Sequence, residues 1–305
     1  MSASESVLVR TETARLRAPR PSFPGAVRGE LLKASRQLTT WVMLGVALLL
    51  FSIFALALLS ADQVRTQLHA SPLAWYYTVL DILLSLFDTG SGIFLLVVSA
   101  RLMGMEYSSG TIRILLARGT GRVQLLAAKL TALAIGALVL LASFLILAGA
   151  FLSILVSSWE GSLHPLTALP AEAWRYTELQ VVVALISMGV CILLGTTAAV
   201  VGRSLAFGLA ASLAFFPTDN FGTIVLSLLT RVTGKDTWNQ VSAYLLGPAL
   251  NQLPVLLEPH RQARAAFAVP LVKVDATHAL IVIAAYGAIF LAASVILSAR
   301  RDVLE

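Results

Sequence analysis

The feature that most constrains this chain is a run of uncharged, mostly apolar residues from Trp41 to Ser60. Its length matches the roughly 20 residues that an α-helix needs to cross the hydrocarbon core of a bilayer. A cleavable signal peptide would carry a shorter apolar core close to the chain start, whereas this run begins only at position 41. We therefore interpret it as the first transmembrane helix.

Five further apolar blocks follow, and they predict five more membrane helices. Only 12% of the residues are charged and the mean hydropathy is +0.85, whereas an ordinary soluble domain has about 25% charged residues. A water-soluble fold is therefore excluded, and the sequence predicts an all-α, polytopic membrane protein. The predicted units are a flexible cytoplasmic tail (1–24) and a single transmembrane domain (25–305) with spans at about 41–60, 81–104, 125–156, 179–201, 204–229 and 279–299.

The fifth span is expected to be interrupted at residues 217–220, where the sequence reads PTDN. Two interpretations remain open at this point. Either the helix is broken inside the membrane, or it ends early and the chain re-enters through short helices, which requires backbone shielded by protein or facing water.

The distribution of basic residues predicts the orientation. Most of the 22 Lys and Arg residues lie before the first span, between the second and third spans, or at the chain end. Cytoplasmic loops carry this excess, so both termini are predicted to be cytoplasmic, in a cell membrane. The net charge of +6 is then a topological signal. It does not indicate a nucleic-acid partner, because no basic residues cluster with aromatic residues in a soluble module.

The segment before the first span is amphipathic. From Val27 to Leu38 the sequence VRGELLKASRQL places Val27, Leu31, Ala34 and Leu38 on one helical face. This pattern is typical of a helix that lies on the membrane surface. The alternative is that the segment continues the first membrane helix.

The connection between the second and third spans, MEYSSGTIRILLARGTGRVQLLAAKL from Met105 to Leu130, is the most informative segment. Glycines that permit sharp turns bound a short apolar stretch, which predicts a compact amphipathic element on the cytoplasmic face. Glu106 opposes both the positive-inside bias and the helix dipole. A local ion pair of this glutamate with Arg101, Arg113 or Arg118 would explain its presence.

The order of features in this segment resembles the permeases of type-2 ABC exporters: an acidic residue beside an aromatic, then Gly-Thr, an apolar turn, a basic residue and a Lys that opens the next helix. The amphipathic segment before the first span resembles the elbow helix of that family. The long segment with Pro248 and Pro254 resembles its extracellular helical hairpin, and the ending YGAIFLAASVILSARRDVL resembles its last helix. Gly119 and Thr120 depart from the Pro-containing turn that is common in the family.

The resemblance implies a division of labour between chains. Two permeases, as a homodimer or heterodimer, would form the substrate pathway, and two soluble ATPase subunits would hold ATP and Mg. A cytoplasmic coupling helix between the second and third spans would contact the ATPase, through residues carried over by position: Glu106, Gly110, Thr111, Arg113, Arg118 and Arg122. The alternative is that the three arginines only anchor the loop to anionic headgroups, at about 1 kcal/mol each.

Polar residues inside the spans are candidates for the pathway. Asp81, Ser85 and Asp88 share one face of the second span, and ionisable groups in membrane helices usually face protein or water. Asp219 and Asn220 are further candidates. The alternative is a structural role, in which Asp81 caps its helix at the outer headgroups and Asp88 forms a hydrogen bond with a neighbouring residue.

Small residues on the fifth span predict a close helix contact. Ser204, Gly208 and Ser212 follow each other at intervals of four residues, which lets two backbones approach. The resembled family forms its dimer seam with the first and fifth spans, so this ladder is a candidate for the interface.

The sequence shows no catalytic site. The Gly234-Lys235 pair is followed by Asp236 and lacks the pattern of a phosphate-binding loop, and the four histidines lack zinc-ligand spacing. We therefore expect no enzyme activity, metal or cofactor in this chain, with lipid and a transported substrate as its other partners. An ion-gradient-driven carrier, or an intramembrane enzyme using Asp88, Asp219 or Glu106, remains as an alternative.

Overall fold

The computed structural model describes residues 22–111, 121–258 and 269–300, and within these ranges the chain is helical without any strand. Six of the helices are long and apolar enough to cross a membrane: Leu38–Leu59, Pro72–Ser108, Arg122–Glu160, Ala171–Gly202, Leu205–Thr233 and Ala276–Arg300. This confirms the predicted all-α polytopic fold. The helices are α1 (Phe23–Arg36), α2 (Leu38–Leu59), α3 (Asp62–Ala70), α4 (Pro72–Ser108), α5 (Arg122–Glu160), α6 (His164–Thr167), α7 (Ala171–Gly202), α8 (Leu205–Thr233), α9 (Thr237–Val241), α10 (Leu246–Leu257) and α11 (Ala276–Arg300).

A separate helix precedes the first span. α1 and α2 are divided at Gln37, whose backbone is extended with φ −78° and ψ 121°. The apolar face of α1 packs on α5, where buried Val27 and partly buried Leu31 contact Ala128 and Ala132. The segment is therefore not a continuation of the first span, and part of its apolar face is covered by protein. Its position at the membrane surface stays a prediction, and the tail over residues 1–21 lies outside the described ranges.

Glycines bring α4 into close contact with α7 and α8. A Cβ atom placed on Gly104 of α4 would lie 2.7 Å from the Cα of Leu205 in α8. On α7, a Cβ at Gly195 would lie 2.9 Å from the carbonyl oxygen of Leu96. Small residues let membrane helices approach until backbone meets backbone. α4, α7 and α8 therefore form one tightly packed unit.

The small-residue ladder of α8 is used inside the chain. A Cβ at Gly208 would approach the Cα of Ala199 in α7 to 2.9 Å, and Ser212 is fully buried. Ser204 caps α8, because its hydroxyl accepts a hydrogen bond from the backbone N–H of Phe207 at 3.5 Å. Gly208 is thus in close contact with α7 of the same chain, and the role of the ladder in a dimer interface stays a prediction.

The predicted interruption of the fifth span is wrong, because α8 runs unbroken from Leu205 to Thr233 with Pro217 inside it. Proline removes one backbone hydrogen bond from a helix, and membrane helices tolerate this where nearby polar groups satisfy the backbone. The Asn220 side-chain amide donates to the carbonyl of Phe216 at 2.9 Å, within the same helix. The polar residues therefore lie inside the helix that they were expected to break.

The same polar residues attach α8 to α10. The Asp219 carboxylate accepts a hydrogen bond from the backbone N–H of Gly247 at 2.5 Å, in the first turn of α10, where N–H groups have no partner within their own helix. The Asn251 amide donates to the side-chain oxygen of Asn220 at 3.0 Å. Short helices thus link α8 to α11, and the membrane side on which they lie stays a prediction.

Replacing Asp219 by alanine should lower the free energy of unfolding by about 1.5 kcal/mol, because it leaves N–H groups at the start of α10 without their acceptor. Thermal unfolding of the purified chain in detergent measures this loss. Thr218→Ala is the control, since Thr218 is exposed one residue away and its removal should change little. Equal melting temperatures for the Asp219 variant and the wild type would contradict the capping role.

Candidate functional site

Two lysines and two glutamates meet where α1, α4 and α5 converge. The Lys129 ammonium of α5 donates to Glu30 Oε2 at 2.9 Å and lies 2.8 Å from Glu106 Oε1. The Lys33 ammonium lies 2.7 Å from both Glu30 Oε1 and Glu106 Oε1. We call these four residues the charge cluster, and it joins α1 and α5 to the end of α4.

The charge cluster is buried and electrically balanced. Lys129 is 2% exposed, Glu30 3% and Glu106 7%. The ammonium of Lys129 also donates to the carbonyl of Leu102 at 2.9 Å, so each of its three protons has an acceptor. Buried charges are tolerated only when they are paired and hydrogen-bonded. The cluster meets this condition, and losing one member would leave another charge uncompensated.

Lys33 closes the cluster from the solvent side, where its side chain is 46% exposed. Partial burial alone would lower the pKa of this lysine, but its hydrogen bonds and attraction to Glu106 and Glu30 outweigh burial and raise the pKa above 10.5. Lys33 is therefore a cation at neutral pH. Its charge and that of Lys129 balance the two carboxylates.

The ion pairs of Glu106 differ from the expected ones. This residue lies in the last turn of α4, where a negative charge is unfavourable next to the helix dipole. We expected compensation from Arg101, Arg113 or Arg118. Instead Lys33 and Lys129 bind the carboxylate, while Arg113 and Arg118 lie outside the described residues. The compensating cations come from elements that are distant in the sequence.

Residues 112–120, where the coupling helix is predicted, lie outside the described ranges. The predicted coupling residues on either side of them, Gly110, Thr111 and Arg122, are described. Gly110 follows α4 with φ +66°, a left-handed conformation that favours glycine. The hydroxyl of Thr111 lies 2.9 Å from that of Ser109. Arg122 opens α5 and donates to the carbonyl of Ala299 in α11 at 3.3 Å. The two ends of the coupling segment are thus attached to α4, α5 and α11.

A small pocket next to the charge cluster shows the same convergence of helices. Its polar lining residues come from the end of α4, the start of α5 and the end of α11: Glu106, Tyr107, Arg122, Lys129 and Ser298. A displacement of the coupling segment would therefore act on three membrane helices at once.

Sequence reasoning missed Glu30, Lys33 and Lys129 as site residues. Two signals were present: Glu30 is the one acidic residue in a basic amphipathic helix, and Lys129 is a charge at the start of a long apolar block. Neither signal identifies its partner, so neither predicts the cluster.

The pathway candidates of α4 border α7. Asp81 accepts a hydrogen bond from the hydroxyl of Tyr176, and Asp88 is partly buried one turn before Gly92, where a Cβ would lie 3.5 Å from the sulfur of Cys191 in α7. Ser85 is exposed. Asp219 and Asn220 contact α10, as described above. The roles of these residues in translocation stay predictions.

An open side of α4 is the second notable surface. At spacings of three and four residues, one side of the helix carries exposed or partly buried residues, whereas Leu95, Leu96 and Leu102 on its other sides are buried. This open side consists of Gly90, Phe94, Val97, Arg101, Met105 and Ser108.

Two neighbouring helices border this open side. At one edge, the Gln37 amide before α2 lies 3.8 Å from the sulfur of Met105. At the other edge, the backbone N–H of Leu205 in α8 donates to the Ser108 hydroxyl at 3.2 Å. We call the space between these edges the α4 cleft. It opens between the starts of α2 and α8.

The comparison with protein families agrees with this architecture. The family model described as ABC-2 family transporter protein matches residues 26–218, which is more than half of the chain and includes the whole charge cluster. No curated protein and no solved structure matches the chain significantly. With six helices able to span a membrane, the chain belongs to the ABC-2 transporter family and is a multi-pass membrane permease.

Proposed function

We propose that this permease forms an export pathway as a dimer and that two soluble ATPase subunits, holding ATP and Mg, drive it through the coupling segment 106–122. The observation that carries the proposal is the charge cluster. Glu106 stands where the chain enters the segment, and Lys129 stands two turns after the chain has entered α5. Their side chains are 2.8 Å apart, so the helices at both ends of the segment are fastened to each other.

Further contacts determine which helices would move together with the coupling segment. Glu30 connects Lys129 to α1 at 2.9 Å, and Arg122 connects the start of α5 to the end of α11. Because the cluster is buried and every charge in it is paired, separating its members would be costly. A push from an ATPase subunit would therefore move α1, α4 and α5 together, and α11 with them.

The pathway itself is proposed to lie along the α4 cleft. Within the apolar windows of the spanning helices, 11% of α8 and 17% of α2 are buried, against 56% of α7. α2 and α8 are thus the helices with most surface left for lipid or for a second permease. A second copy facing this side would enclose the α4 cleft between the two chains. The excess of basic residues supports cytoplasmic placement of the charge cluster and both termini in a cell membrane.

The test is co-purification of the permease with a soluble nucleotide-binding ATPase subunit from the same organism, followed by measurement of ATP turnover. We expect the Arg113→Glu/Arg118→Glu double variant to weaken ATPase binding at least about tenfold, since reversed charges at an interface repel their partners. Arg28→Glu is the matched control, because Arg28 is an exposed cation of α1 outside the coupling segment.

Two results would contradict the proposal. One is a wild-type chain that neither binds the ATPase nor changes its turnover. The other is transport by the chain alone in response to a proton gradient, which would identify an ion-driven carrier.

A further inference from the structure

Arg101 differs from Lys33 and Lys129 of the charge cluster, because it has no partner in the described part of the chain. Its Nε atom is buried without a hydrogen bond, and no ion pair joins its guanidinium to another described residue. Lys33 and Lys129, by contrast, each bind two carboxylates. An ionised side chain in a membrane helix usually has a counter-charge, and residues 22–111, 121–258 and 269–300 do not provide one for Arg101.

The acidic residues closest to Arg101 in the fold are already engaged. Glu106 follows Arg101 by five residues on another side of α4 and is shared between two lysines, as is Glu30. The cluster is neutral without Arg101. The guanidinium therefore adds an unbalanced positive charge to the α4 cleft, and an anion from outside the chain would stabilise it.

The surroundings of Arg101 indicate which kind of anion fits. Phe94, Val97 and Met105 give the open side of α4 an apolar wall. Arg101 lies seven residues before the end of α4, about 10 Å along the axis. The cleft thus combines an apolar surface with the guanidinium of Arg101 near the end of α4, and a guanidinium binds phosphate or carboxylate in a bidentate manner.

We propose that the α4 cleft admits a transported amphiphile with an acidic head group, phosphate or carboxylate, which Arg101 binds while the apolar tail lies along Phe94 and Val97. This inference rests on the proposed function, since it places the substrate in the pathway of that permease. It specifies a substrate class, which the fold alone does not.

The binding test uses two photoactivatable probes of equal chain length, dodecyl phosphate and dodecyltrimethylammonium. The permease with its ATPase is placed in nanodiscs of phosphatidylcholine, and labelling of α4 is mapped by peptide analysis. We expect about tenfold stronger labelling by the phosphate, which is the ratio that one charge-assisted hydrogen bond supplies. Arg101→Gln should abolish this preference and Arg101→Lys should retain part of it. Arg36→Gln should leave it unchanged, because Arg36 is an exposed cation at the end of α1.

A second arm separates a transported amphiphile from a membrane lipid. In vesicles that also contain phosphatidylglycerol, we expect ATP-driven movement of dodecyl phosphate by the wild type and Arg36→Gln, and at least about a fivefold loss in Arg101→Gln. The proposal is overturned if the two probes label α4 equally or if Arg101→Gln keeps the preference for phosphate. It is also overturned if phosphatidylglycerol displaces the label and the probe is not moved, since Arg101 would then be a headgroup anchor.

The same samples keep this inference distinct from the proposed function. Co-purification with the ATPase and basal ATP turnover are measured for the wild type and for Arg36→Gln, and both should be equal in the two, because Arg36 is an exposed cation outside the coupling segment. If the wild type fails to bind the ATPase, the proposed function fails. If ATPase binding is intact and only the preference for the phosphate probe is missing, the inference about the substrate fails alone.

Discussion

Replacing Lys129 by alanine is expected to lower the free energy of unfolding by about 3 kcal/mol and to abolish stimulation of the ATPase. The variant leaves two carboxylates, Glu30 and Glu106, buried with only Lys33 to balance them. Removing one partner of a buried ion pair is costly because the remaining charge stays out of water without compensation. Thermal unfolding in detergent and ATP turnover of the assembled transporter measure the two effects.

Two further variants separate electrostatic balance from coupling. Lys33→Ala should lower the free energy of unfolding by about 1 kcal/mol, less than Lys129→Ala does. The Lys33 side chain is 46% exposed, and exposed ion pairs contribute little. The double variant Lys129→Met/Glu106→Gln removes one charge of each sign. It should regain most of the stability but not the stimulation of the ATPase. A Lys129→Ala variant with wild-type stability and turnover would show that the charge cluster neither stabilises nor couples.

The six membrane helices were predictable from the sequence because lipid imposes a simple requirement. Backbone groups inside the bilayer must bond within the segment, so a span appears as about 20 consecutive residues without charges. The run from Trp41 to Ser60 meets this requirement, and α2 covers it. The membrane-spanning helices could therefore be predicted from local sequence.

The contacts of the charge cluster were not predictable in this way. Lys33 and Glu106 are 73 residues apart in the chain, and Lys129 and Glu30 are 99 apart. Periodicity shows which face of a helix is polar but not which distant side chain will meet it. Glu106 was therefore identified as a residue that needs a partner, but Lys33 and Lys129, which bind it, were not identified.

The error on α8 has a related cause. Pro217 was interpreted as a break because proline weakens an isolated helix, but the polar side chain of Asn220 after it bonds within α8, to Phe216, and accepts a hydrogen bond from Asn251 of α10. The small residues at Gly208 and Ser212 were correctly taken as sites of close helix approach. The sequence does not distinguish an approach by α7 of the same chain from an approach by a second chain.

Substitution of Gly104 is expected to affect both the packing of α4 against α8 and the entry to the coupling segment. Gly104→Val is expected to lower the free energy of unfolding by about 3 kcal/mol, because added carbons in a filled contact force the backbones apart. A Cβ at this position would lie 2.7 Å from the Cα of Leu205, and a backbone atom cannot move aside as a flexible side chain does. The last turn of α4 would then be displaced, together with Glu106 and the entry to the coupling segment.

Gly136→Val is the matched control for this variant. Gly136 lies in the spanning helix α5, and no atom lies within 4 Å of a Cβ placed on it, so its substitution should leave the melting temperature nearly unchanged. We expect Gly104→Val to lose both thermal stability and stimulation of the ATPase, while Gly136→Val keeps both. If the two variants have the same melting temperature, the close contact between α4 and α8 does not stabilise the permease. If Gly104→Val loses stability but keeps full stimulation, the position of α8 against α4 is not part of the route from the ATPase to the membrane helices.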